Sequence, residues 1–169
     1  MIDLQPAADG ATEFDRVMGT RPQFQAVFIE DYRRSLLRLD PVLVELCRLR
    51  MAKLLGSTLD LSLRWRPARQ AGLAEARLAL LSNYDTSPLF SARERACVCF
   101  AEQFAIASYD ISDDDVAGVQ ALLAPEEFIY FVKALSVIDQ FARTAAAFDA
   151  QPGAVPPQGV PEFELAPSA

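Results

Sequence analysis

Helix-start signals recur along most of this chain, each followed by apolar residues at helical spacing. Asp40-Pro41 joins an N-cap acid to a proline at the first helical position, where the missing N–H has no intrahelical partner to lose. Ser91 with Glu94 has the spacing of a capping box. Ser112 is followed by Asp113, Asp114 and Asp115, acids that complement the exposed N–H groups of a first turn. Pro125 with Glu126 and Glu127 opens another helix. Between these signals Phe24, Val27, Phe28, Tyr32, Leu36 and Leu37 share one face over 22–38. Val42, Leu46, Leu49, Met51 and Leu54 serve a helix over 41–55, and Gly56 supplies its stop. Further helices are expected over 58–71, 74–83 and 92–108, from Ser112, and from Pro125 to about Phe148. Pro67 would strain or kink the 58–71 helix. No stretch alternates as a strand would. The pattern predicts an all-α fold, a single compact domain of about seven helices over residues 21–149.

The two ends read differently. Residues 1–20 form an N-terminal segment, and Met1 to Asp9 has neither a basic nor an apolar stretch of the export type. A cytoplasmic protein is the expectation. Over residues 150–169 the composition shifts to proline: five of eleven (Pro152, Pro156, Pro157, Pro161, Pro167) fall there, which predicts an extended tail. The tail also carries Val155, Val160, Phe163 and Leu165, so two readings stand: a disordered end, or an arm that docks on this chain or a neighbour.

Composition excludes several chemistries. The chain has no histidine, hence no imidazole acid–base pair, no Ser-His-Asp or Cys-His nucleophile and no His metal ligand. Its three cysteines, Cys47, Cys97 and Cys99, fit neither metal-ligand spacing nor a disulfide scaffold. No cofactor or metal is expected. A net charge of −7 argues against nucleic acid as a partner, and no apolar run is long enough to span a membrane. The Asp113–Asp115 run lacks the glycine and distal acid of a calcium loop and reads as a capped helix start. Trp65 reads as a core or interface aromatic.

Four segments together resemble the alkylhydroperoxidase D-like family, related to the carboxymuconolactone decarboxylases. They are ELCRLRMAKLLG at 45–56, TSPLFSARERA at 86–96, YDISDDDV at 109–116 and ALSVIDQFAR at 134–143. The resemblance spans about residues 24–149. It implies an all-helical fold and assembly as a homo-oligomer, a dimer, trimer or hexamer. Redox members of that family carry a Glu, then after eleven residues a Cys-x-x-Cys-x-x-x-His motif. Only Glu45 matches; the thiol positions are Ser57 and Asp60 and the histidine position is Arg64. A hydroxyl cannot exchange with a disulfide. Peroxidase activity, which kinship alone would suggest, is therefore not carried over. Cys97 and Cys99, two apart on one helix, point to different sides and make no replacement pair.

What remains is a polar constellation. Asp60 and Arg64, four apart on the expected helix, would pair. The resemblance sets Glu45 facing them, Ser57 at the helix start, and Asp139, Gln140 and Arg143 of the last helix beside the same cleft. One reading is an internal ion network, with Glu45 and Asp60 neutralised by Arg64 and Arg48. That would leave a non-redox protein with a small-molecule pocket, or a structural partner of another subunit. The other reading is a cofactor-free lyase, decarboxylase or isomerase acting on a small carboxylate or carbonyl compound. There Glu45 or Asp60 moves the proton, Ser57 orients a carbonyl oxygen, and Arg64, Asp139 and Gln140 hold the substrate. An open cleft with an unpaired carboxylate would mark the enzyme. Full cross-pairing would mark the network.

Overall fold

The helix-start signals translate into hydrogen bonds. In the computed structural model, which describes residues 12–157 and 162–167, the Asp40 carboxylate accepts from the N–H groups of Val42 (2.8 Å) and Leu43 (3.4 Å). Residues 1–11, with the export-signal reading made on them, and the tail positions Val160 and Pro161 lie outside the described residues. Nine α-helices are present among the described residues. They are α1 (Glu13–Met18), α2 (Pro22–Leu36), α3 (Pro41–Leu55), α4 (Thr58–Leu61), α5 (Arg66–Gln70), α6 (Glu75–Leu78), α7 (Ala92–Ala107), α8 (Asp113–Gln120) and α9 (Pro125–Ala147). Single 3₁₀ turns at Leu81–Asn83 and Ser108–Asp110 follow α6 and α7. None of these helices is long and apolar enough to cross a membrane.

Helix α3 is the centre of the fold, packed by α7, α9, α4 and α5. Its side chains from Leu43 to Leu49 are all buried, as expected of a helix enclosed over its first half, while Arg50 and Lys53 reach the surface further on. Two of them, Glu45 and Arg48, are charged. Gly56 ends the helix at φ 72°, a left-handed position that L side chains rarely adopt.

The expected count of seven helices and the continuous helix over 58–71 are corrected. That stretch divides into α4, the strand β1 (Leu63–Trp65) and α5. Pro67 explains the division. It lacks the N–H that a helix would offer to the Leu63 carbonyl, and it is instead comfortable in the first turn of α5. The Leu63 carbonyl accepts from the Arg48 and Arg64 guanidiniums instead. The segment 74–83 likewise shortens to α6 and the 3₁₀ turn.

β1 pairs antiparallel with β2 (Phe163–Leu165), in register Leu63 with Leu165, Arg64 with Glu164 and Trp65 with Phe163. Bonds from Arg66 N–H to the Glu162 carbonyl and from Ala166 N–H to the Ser62 carbonyl, both 2.7 Å, extend the ladder. These residues of the proline-rich tail therefore dock on their own chain. Leu63 and Trp65 face inward and Arg64 outward, the alternation of any strand. Phe163 joins an aromatic group drawn from α1, α2 and α9, in which Phe14, Phe28 and Tyr32 surround Phe141 at centroid distances of 4.7, 5.9 and 4.9 Å. Phe14 belongs to α1, inside the N-terminal segment set apart by sequence, and is fully buried.

Candidate functional site

α3 and the α4–β1 turn bring Glu45, Ser57 and Asp60 together around one residue, Arg48, and all four are at most 2% exposed. The Arg48 guanidinium has five N–H donors. Nε–H donates to Glu45 Oε2 (2.7 Å) and Nη2 to Glu45 Oε1 (2.8 Å), a bidentate fork. Nη2 also reaches the Leu63 carbonyl (2.9 Å), while Nη1 reaches the Asp60 carbonyl (3.0 Å) and Asp60 Oδ1 (3.1 Å). Five donors thus meet five acceptors. The acids are as fully engaged. Trp65 N–H donates to Glu45 Oε1 (3.1 Å), and the Ser57 hydroxyl donates to Asp60 Oδ2 (2.6 Å) while accepting from Asp60 N–H (3.3 Å). Phe163 closes the top, its ring centroid 5.0 Å from the guanidinium carbon, within cation–π range.

Electrostatics hold the Arg48 guanidinium in its charged form. Burial pulls the Arg48 pKa down, but the charge and hydrogen bonds of Glu45 outweigh it and the net shift is upward. Burial pushes the Asp60 carboxyl up, against the pull of Arg48 and Ser57, and the net shift is also upward.

The other expected members of the site stand elsewhere. Arg64, on the outer side of β1, forks onto Glu75 (Nε to Oε1 2.9 Å, Nη2 to Oε2 3.1 Å) and donates to the Leu61 and Leu63 carbonyls. The expected Asp60–Arg64 pair does not form, because the two residues do not share a helix. Arg143 donates to both Asp139 oxygens and to the Ala105 carbonyl (2.6 Å) near the end of α7, and Gln140 is exposed. The central cation is Arg48, which sequence reasoning had placed beside Arg64. The covering Phe163 was missed. The available signal was an acid and a base three apart, Glu45 and Arg48, within the apolar run of α3 from Val42 to Leu49.

Among the described residues no three Asp, Glu or Cys side chains converge as a metal site requires. Cys47 and Cys97 are buried and Cys99 is exposed. Burial pushes the Cys97 thiol up to about 12 and raises Cys47 well above its ordinary value. A thiol-disulfide reagent should therefore modify one cysteine of the native protein, Cys99, and the other two only after unfolding. Mass spectrometry of the labelled protein checks this; fast native labelling of Cys47 or Cys97 would contradict it.

No protein-family model matches the chain, and no curated protein matches it. Solved structures do. A protein of unknown function from Agrobacterium tumefaciens, described as a candidate antioxidant defence protein AhpD, superposes with a TM-score of 0.68 at 19% identity, over 80% of this chain and 94% of that one. The fold is AhpD-like. The debrominase Bmp8, as a cysteine-to-alanine variant in complex with 2,3,4-tribromopyrrole, superposes with a TM-score of 0.67 at 15% identity, over 83% of this chain and 76% of that one. At these identities the AhpD-like likeness speaks for the arrangement of helices and leaves chemistry to the residues present.

Proposed function

We propose that this chain is a non-redox protein of AhpD-like fold that binds a small molecule, and that its Glu45 cluster is a structural ion network. The saturation of Arg48 carries this reading: five donors on five acceptors, buried and roofed by Phe163. An acid–base catalyst needs a carboxylate that faces a substrate, and both carboxylates here face the same guanidinium. Buried charges are tolerated when paired and hydrogen-bonded in this way. On the sequence resemblance to alkylhydroperoxidase D-like proteins, the thiol positions would correspond to Ser57 and Asp60, and a hydroxyl and a carboxylate cannot cycle through a disulfide. Recessed apolar surface lies instead on the outer side of α3, as a cavity of about 230 Å³ reached from solvent. That is below the ~300 Å³ at which drug-sized sites begin and suits a ligand of about one ring.

The redox half of this reading is tested by peroxide reduction with a dithiol as electron donor. The wild-type protein should not exceed the uncatalysed rate. A rate that does exceed it, and that disappears when Cys47, Cys97 and Cys99 are replaced by serine, would restore thiol chemistry. A rate that survives those replacements would mean that the Glu45 cluster is reactive after all.

A further inference from the structure

The cavity on α3 has a specific chemical character. Leu49, Leu61, Leu78 and Leu81 form its apolar walls, and Arg50, Lys53 and Ser82 supply its polar groups. Arg50 is committed: it pairs with Glu102 and lies over the Tyr84 ring. Lys53 is not. Its ammonium donates to the neutral Ser82 hydroxyl (3.0 Å), and no carboxylate among the described residues pairs with it. The other lysine, Lys133, holds Asp31 at 2.7 Å. An ammonium has three donors, so two remain to meet an incoming acceptor.

We infer that this cavity is a binding site for small monocarboxylates with an apolar body, the carboxylate on Lys53 and Ser82 and the body against the leucines. The inference rests on the small-molecule reading above and names its ligand class. Size limits the body: a dry cavity of about 150 Å³ holds one benzene ring, so 230 Å³ accepts an aromatic ring or short branched chain with its carboxylate. Charge limits the head group: one uncommitted cation balances one anion, and a phosphate dianion would leave charge unmatched. The exposed position of Lys53 makes the attraction sensitive to salt.

Benzoate and its neutral counterpart benzamide separate the possibilities when titrated by nuclear magnetic resonance into the full chain and into Lys53→Gln. Benzoate should shift the amides of α3 and of residues 78–82. Its affinity should fall about tenfold in Lys53→Gln and about tenfold for benzamide on the wild type, the scale of one charge-assisted hydrogen bond at a half-open site. Equal binding of acid and amide, or no effect of Lys53→Gln, would overturn the carboxylate assignment and leave a small-molecule cavity standing. No shift of these amides with either probe would overturn both.

Discussion

Arg48→Met should lower the unfolding free energy by about 3–5 kcal/mol, because it leaves Glu45 and Asp60 buried without their cation. Single domains are stable by only about 5–15 kcal/mol, so the loss should be plain as a fall in the urea midpoint. Its pH dependence has a definite sign. Burial already holds the Asp60 carboxyl above its ordinary value, and Arg48 is the largest influence pulling the other way. Without Arg48 the folded-state value rises further. A carboxyl whose folded pKa exceeds its unfolded one binds its proton more tightly when folded, so stability falls as the pH rises past the unfolded carboxylate value. The deficit of Arg48→Met relative to wild type should therefore shrink between about pH 8 and about pH 5, as the stranded acids are neutralised. Adding Glu45→Gln and Asp60→Asn should recover part of the loss at neutral pH. A loss under about 1 kcal/mol, or one that does not vary with pH, would sink the structural reading of the cluster.

Phe163→Ala should cost about 3–5 kcal/mol, the range for deleting a buried aromatic side chain. Phe163 is 4% exposed, packs against Tyr32 and covers the Arg48 guanidinium. The loss is larger than its area implies, since water that enters beside Arg48 weakens the ion network beneath. Trp65, the only tryptophan, pairs with Phe163 across the ladder and is itself buried. Its fluorescence should therefore shift to the red in the variant. Glu164→Ala is the control: that side chain points outward to an exposed pair with Arg69 and should change stability little. If Phe163→Ala left both the urea midpoint and the emission unchanged, β2 would have no part in the packed domain.

How much of this was legible depends on the range of the interaction. The starts of α3, α7, α8 and α9 were readable because each is made by groups within three residues of one another. Ser91 and Glu94 close their box at 2.8 and 3.2 Å, and Ser112 and Asp115 at 3.0 and 3.2 Å. The start of α1 has the same logic in Thr12 and Asp15, an acid one methylene shorter than the usual glutamate. The stretch 58–71 was not legible as three elements. Its apolar residues fit a helical period, and Pro67 alone does not say where it divides; the demand of Arg48 for the Asp60 and Leu63 carbonyls and a strand partner far along the chain at Leu165 fix the extended stretch before it. The same division separated Arg64 from Asp60. Which arginine neutralises the cluster could not be read before the backbone at 63–65 was known to be extended.

Residue types alone set the chemistry open to this protein. Without histidine, and with Ser57, Asp60 and Arg64 where the resemblance would place two thiols and a base, only carboxylates, a hydroxyl and fixed positive charges remain at that position. Local spacing set the helical architecture, because capping and helical hydrogen bonds join near neighbours. Whether Glu45 and Asp60 face a substrate or a counter-ion was decided by tertiary structure. Arg48 lies on α3, Leu63 and Trp65 on β1 and Phe163 on β2 nearly at the other end of the chain, and their hydrogen bonds and contacts exist only once those three elements have come together.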